Sequence, residues 1–94
     1  MRYIKVEWFH ENPADPYQIL SEIDEDGWES RRIESFRDGR RGFADESENI
    51  GGSFLADKPW PSMDVLRAES EFKVHEIDAA MFDEIWQSRG FRSS

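Results

Sequence analysis

The sequence predicts an α+β domain, in which an antiparallel meander of four to five strands packs against a C-terminal helix. Several segments alternate between apolar and polar residues, which is typical of half-buried strands. Two Asp-Gly pairs separate consecutive segments of this kind, as in β-hairpins. The last apolar segment instead has helical spacing. At 94 residues, the chain is expected to form a single domain over residues 1–94.

The first half of the chain is predicted to be mostly strand. The predicted strands are Tyr3–Phe9, Tyr17–Ile23, Trp28–Phe36 and Arg41–Ala44. Asp26-Gly27 and Asp38-Gly39 join the last three, because glycine accepts the positive φ that tight hairpin turns require. On the second strand, Ile19 and Ile23 share one face and Leu20 lies on the other.

The second half begins with an acidic loop over residues 45–53, which contains two glycines. Phe54-Leu55 is predicted to be either a brief strand or an apolar anchor. After the rigid Pro59-Trp60-Pro61, Ser62 suits the N-cap of a short helix over Met63–Ala68. A further strand is predicted over Phe72–Ile77, where apolar and polar residues alternate again.

The C-terminal helix is predicted from its caps and its apolar spacing. Asp78 suits the N-cap, and Gly90 stands where a helix commonly ends. Ile77 and Phe82 have the spacing of a hydrophobic staple across the helix start. We expect one helix face to pack against the apolar residues of the first strand. These two sets are Phe82, Ile85 and Trp86 on the helix and Ile4, Val6 and Trp8 on the strand.

The composition restricts the classes of partner. Twenty-one Asp and Glu residues against 12 Lys and Arg give a formal net charge of -9. Such a chain is repelled by nucleic acid and by anionic membranes, so we expect neither as a partner, and it is attracted to basic protein surfaces. With no cysteine and no apolar N-terminal run, we expect no disulfide, no signal peptide and a cytoplasmic location. The oligomeric state is left open.

No catalytic or metal-binding signature is found in the sequence. Asp24-Glu25-Asp26-Gly27 begins like a calcium loop, but position twelve of such a loop would be Ser35 instead of glutamate. His10 and His75 are the two histidines, and neither has a third ligand at recognisable spacing. No serine has the Gly-x-Ser-x-Gly setting of a hydrolase nucleophile. We therefore expect a protein that is not an enzyme and has no cofactor.

The acidic loops are the leading candidate for a binding site. We expect them to engage basic residues of a partner protein, in the manner of an electrostatic decoy that blocks a basic groove. Trp60, held between two prolines, is a candidate aromatic anchor in the same contact or, alternatively, a cap on the core. The candidate acids are Asp24, Glu25, Asp26, Asp45, Glu46 and Glu48. The expected function is that of an acidic inhibitor, such as an immunity protein, antitoxin or defence antagonist.

One segment has the opposite charge. Five arginines lie within eleven residues, at positions 31, 32, 37, 40 and 41. We expect them mainly to form ion pairs with acids of neighbouring strands, such as Glu22 and Glu29. The alternative is a ligand-binding or regulatory domain in which Arg32, Arg37 or Arg41 holds a small anion.

The order of these segments resembles that of a family of small bacterial domains of unknown function. The resemblance covers most of the chain apart from residues 45–58. It is carried by residues 3–10 (YIKVEWFH), 20–29 (LSEIDEDGWE), 36–39 (FRDG), 59–62 (PWPS) and 82–86 (FDEIW). The family implies no activity and no site residues, although such domains can occur among bacterial competition and defence genes.

Overall fold

The computed structural model describes residues 1–89, and Gly90, which we predicted to end the last helix, lies outside them. The described residues form six strands and two helices. In chain order these are β1 (Arg2–Trp8), β2 (Gln18–Ile23), β3 (Glu29–Ser35), β4 (Arg41–Ala44), β5 (Asn49–Ile50), α1 (Met63–Arg67), β6 (Phe72–Ile77) and α2 (Ala79–Gln87). Neither of the two described helices has the length and hydropathy needed to cross a bilayer.

The strands form one antiparallel sheet in the order β5-β4-β3-β2-β1-β6. The predicted α+β class and the meander are confirmed, with six strands instead of four to five. The additional strand is the two-residue β5, which lies inside the segment 45–53 that we predicted to be a loop. Phe54-Leu55 forms no strand, and the Phe54 side chain is 66% exposed, so it does not anchor the core.

Apolar side chains cover both faces of the sheet. The front face packs against α1 and the segment before it. Its cluster contains Ile4, Val6, Ile19, Ile23, Met63 and Val74, with Trp8 and Trp60 packed against it. The back face packs against α2, in a second cluster of Leu20, Ile33, Phe43, Phe82 and Trp86.

The prediction that α2 packs against the apolar residues of β1 is therefore wrong. Ile4, Val6 and Trp8 point to the front face, whereas α2 packs on the back face. The residue of β1 that packs there is Tyr3. The Tyr3 and Phe82 ring centroids are 5.3 Å apart. Because side chains alternate between the faces of a strand, helix α2 contacts the residues of β1 that the apolar pattern did not mark.

Both predicted helix starts are confirmed. Asp78 Oδ1 accepts a hydrogen bond of 2.8 Å from the Met81 N–H, and Ser62 Oγ accepts one of 3.3 Å from the Val65 N–H. Each side chain thereby satisfies an N–H group that has no partner within its helix. These caps fix the points at which the chain turns back across the front and back faces.

Candidate functional site

The two predicted acidic segments lie at the same end of the sheet. The β2–β3 turn spans residues 24–28 and the β4–β5 turn spans residues 45–48. Both turns follow strands that run in the same direction, and β2 ends opposite Glu29 whereas β4 ends opposite Arg32, so the turns are staggered by three residues along β3. We call these two turns the acidic end. The opposite end carries the β1–β2 connection and the β3–β4 turn.

Asp24 is a candidate acid that is already engaged within the chain. Its Oδ1 accepts hydrogen bonds of 2.9 Å from the backbone N–H groups of Asp26 and Trp28. Aspartate often stabilises turns in this way, because its short side chain reaches N–H groups a few residues further on. Asp24 therefore holds the shape of the β2–β3 turn.

Two acids of the β4–β5 turn are engaged as well. Asp45 Oδ1 accepts hydrogen bonds of 2.8 Å from the backbone N–H groups of Ser47 and Glu48. The side chain of Glu48 is itself paired, since its Oε1 lies 2.9 Å from Arg89 Nε. Three of the six candidate acids thus have partners within the chain.

The other three acids are exposed. Glu25, Asp26 and Glu46 form no side-chain hydrogen bond or ion pair within residues 1–89. The two turns therefore share one arrangement. Asp24 and Asp45 hold the backbone shape, and the exposed carboxylates that follow them are available to a partner.

Trp28 belongs to the acidic end, and the sequence analysis did not assign it there. We predicted that a strand begins at this residue, but β3 begins at Glu29 and Trp28 closes the turn instead. Its side chain is 46% exposed. Because Trp28 directly precedes β3, it stands on the side of its turn that faces the β4–β5 turn. Asp24, Gly27 and Trp28 together form the sequence signal that would have placed Trp28 in the turn.

Trp60 occupies a different position from the one expected of a protruding anchor. It is half-buried and packs against the front-face cluster. Its backbone N–H donates a hydrogen bond of 2.8 Å to the Gly27 carbonyl, and a Cβ at Gly27 would lie 3.1 Å from the Trp60 carbonyl oxygen. Gly27 also has a φ of 87°, so the acidic turn needs glycine here on both counts. Trp60 thus supports the acidic end from the front face.

Arg31 lies on the back face in a network that joins the sheet to α2. Its Nη2 lies 2.5 Å from Glu22 Oε2 and 2.8 Å from Asp83 Oδ1. Its guanidinium carbon is 4.8 Å from the centre of the Phe82 ring. The hydrogen bond from Arg31 lowers the pKa of Glu22 from its ordinary value of 4.5 to about 2. In turn, the hydrogen bond to Glu22 raises the pKa of Tyr3.

Arg32 lies on the front face in a separate network. Its Nη1 lies 3.4 Å from Glu29 Oε1, and its Nη2 lies 3.2 Å from Glu34 Oε2. The Glu29 side chain is fully buried, and it accepts a hydrogen bond of 2.8 Å from the Ala56 N–H. Buried carboxylates of this kind are tolerated because they are paired and hydrogen-bonded. The expected cross-strand pair with Glu22 is therefore present, whereas Glu29 pairs with Arg32 within β3 and not across strands.

The three arginines of the alternative, any one of which we predicted could hold a small anion, lie at separate places. Arg32 points to the front face, whereas Arg41 is on the back face with its register partner Ser35. Arg37 contacts the carbonyl oxygen of His10. Of these three, Arg41 lies beside Arg40 and Arg89, which the prediction did not select.

The two histidines lie apart from the acidic end. His10 Nε2 is 2.7 Å from the Pro16 carbonyl oxygen, and His75 Nε2 is 3.8 Å from Glu7 Oε2. Within residues 1–89 no three His, Asp or Glu side chains are grouped closely enough to hold a metal ion.

The comparison with protein families assigns the chain to one of them. The model of the family described as "Domain of unknown function (DUF6881)" matches residues 2–91, so the chain belongs to this family. This confirms the resemblance to a family of small domains of unknown function. No curated protein and no solved structure matches the chain.

Proposed function

For this member of the family, we propose a non-enzymatic protein-binding module whose acidic end docks on a basic protein surface. One observation carries the proposal: both acidic turns lie at the same end of the sheet, with the exposed Trp28 on the side between them. A uniformly acidic surface would serve solubility alone. At this end three exposed carboxylates lie near an exposed aromatic side chain, a composition that suits a binding patch.

The exposed acids at this end are suited to contact a partner. Within residues 1–89, no ion pair has to break when a cation binds Glu25, Asp26 or Glu46. Their charges add to a chain with a formal net charge of -9, which accelerates encounter with a basic surface. Electrostatic attraction of this kind fixes orientation and association rate more than final affinity.

Trp28 supplies the apolar part of the contact. Trp is among the residues most enriched at the energetic centres of protein interfaces. Its backbone is fixed by the hydrogen bond to Asp24, so little conformational freedom is lost on binding. An exposed aromatic group in a turn that also carries Glu25 and Asp26 fits a basic surface that has an apolar pocket.

The class of partner follows from the same chemistry. A basic protein surface commonly binds nucleic acid through its phosphates. Carboxylates at this end would occupy the same Arg and Lys side chains, and so exclude the nucleic acid. We therefore propose an inhibitor, in the manner of an immunity protein, antitoxin or defence antagonist, and a nuclease or nucleic-acid-binding protein as its target.

An NMR titration with a nona-arginine peptide tests where basic groups bind. We expect shifts concentrated in the amides of residues 24–28 and 45–48 and in the Trp28 indole N–H. The peptide is a mimic of the partner's charge, so its affinity should fall steeply with salt. Shifts spread evenly over exposed acids throughout the chain, or centred on the opposite end of the sheet, would contradict the proposal.

A further inference from the structure

A cleft of about 580 Å³ opens on the back face, where α2 ends. Its walls come from the β3–β4 turn, from β4 and from the residues directly after α2. Typical small-molecule sites range from about 300 to 1,000 Å³. The cleft is thus large enough for a small organic ligand, and it borders the acidic end at Glu48, which pairs with Arg89.

Three arginines line this cleft: Arg40, Arg41 and Arg89. Arg41 is exposed and forms no ion pair within residues 1–89. Arg89 uses Nε for Glu48 and Nη1 for the Trp86 carbonyl, which leaves Nη2 without a partner in the described part of the chain. Guanidinium groups bind phosphate oxygens through paired N–H donors.

The rest of the lining is mixed. Phe43 and Ile50 provide an apolar wall, and Ser35 and Tyr17 provide hydroxyl groups. The guanidinium of Arg40 lies over the ring of Phe36, 4.3 Å from its centre, so this cation is held at the rim by an aromatic surface. An apolar wall beside a group of cations matches a ligand that has an anionic group and an apolar body.

We propose that this cleft binds a small organic phosphate, in which an apolar or aromatic body carries a phosphate monoester. The phosphate lies among Arg40, Arg41 and Arg89, and the body lies against Phe43 and Ile50. Two nearby carboxylates oppose the anion, but each is paired: Asp38 Oδ2 is 3.9 Å from Arg40 Nε, and Glu48 is bound to Arg89. The site is distinct from the exposed acids Glu25, Asp26 and Glu46, and it meets the acidic end at the Glu48–Arg89 ion pair.

Calorimetric titration of the full chain with phenyl phosphate, inorganic phosphate and benzoate tests the proposal. We expect phenyl phosphate to bind best, because inorganic phosphate lacks the aromatic body and the carboxylate of benzoate offers the arginines less charge and fewer acceptor oxygens. Arg41→Ala should weaken its binding by about tenfold or more, since a hydrogen bond to a charged group contributes about 1.5–3 kcal/mol. Arg2→Ala is the matched control, because Arg2 pairs with Glu76 on the β1–β6 side of the sheet, and it should leave binding unchanged.

Three results would overturn the proposal. The first is the absence of phenyl phosphate binding at millimolar concentrations. The second is inorganic phosphate or benzoate binding as tightly as phenyl phosphate, because the site would then not recognise this combination of groups. The third is equal weakening by Arg41→Ala and Arg2→Ala, which would indicate a general charge effect. Thermal unfolding of each variant verifies that it is folded.

Discussion

The Asp24 carboxylate accepts a hydrogen bond of 2.9 Å from the Trp28 backbone N–H, and this bond closes the turn that presents Trp28. The same oxygen accepts a second bond from the Asp26 N–H. One acid of the turn therefore has a structural role, while Glu25 and Asp26 carry exposed charge. Substitutions in this turn must separate the two roles.

Asp24→Ala should destabilise the domain, because it removes the acceptor for two backbone N–H groups. We expect a loss of about 1–3 kcal/mol in the free energy of unfolding, measured with urea. Asp24→Asn is the matched control, since its side-chain oxygen accepts the same bonds and it should retain most of the stability. Equal losses in both variants would show that charge, and not turn closure, is what Asp24 contributes.

Glu22 should make stability depend on pH. Its pKa is lowered from 4.5 to about 2 in the folded chain, chiefly by the hydrogen bond from Arg31. The stabilisation is therefore fully present above pH 4.5 and is lost as the pH falls toward 2. Glu22→Gln should be less stable than the parent at neutral pH, and the difference should shrink across this window. A difference that stays constant from neutral pH down to the folded pKa would contradict the assignment.

A double-mutant cycle tests which face of the sheet α2 covers. Phe82→Leu should couple with Leu20→Ala by at least about 0.5 kcal/mol, because both side chains belong to the back-face cluster. Phe82→Leu and Ile4→Ala should be additive, since Ile4 lies in the front-face cluster. Coupling to Ile4 alone would restore the packing that we first predicted from the sequence.

Trp28→Ala should impair binding of the partner more than it impairs folding. We expect binding to weaken by about tenfold or more, as for aromatic residues at interface centres. Phe54→Ala is the matched control, because Phe54 is 66% exposed and lies outside the acidic end. Similar effects of both substitutions on binding, measured by calorimetry with the basic protein captured by the parent, would remove Trp28 from the site.

The local patterns predicted most of the fold. The Asp-Gly pairs, the caps at Ser62 and Asp78 and the alternation in β1 all depend on nearby residues, and each was confirmed. Which helix covers which face of the sheet was harder to predict, because it depends on packing between residues that are distant in the chain. A signal was present in β2, where Ile19 and Leu20 point to opposite faces and are both buried.

The candidate site was predicted in part. The sequence identified the acidic turns, but it could not show that two turns distant in the chain lie at the same end of the sheet. It also missed Trp28, because a Trp next to an alternating segment is usually assigned to the strand. The arginine cleft depends on Arg89, which reaches it only because α2 crosses the back face.

The most direct test compares two variants of equal net charge as baits for a partner from a native lysate. Glu25→Gln/Asp26→Asn/Glu46→Gln neutralises the three exposed, unpaired acids of the acidic end, and Glu11→Gln/Glu69→Gln/Glu71→Gln neutralises three exposed acids at the opposite end. We predict that a basic protein is captured by the parent and by the second variant, and that its recovery on the first falls by about tenfold or more. Equal recovery on the two variants, or capture of no basic protein by the parent, would contradict the proposed docking through the acidic end.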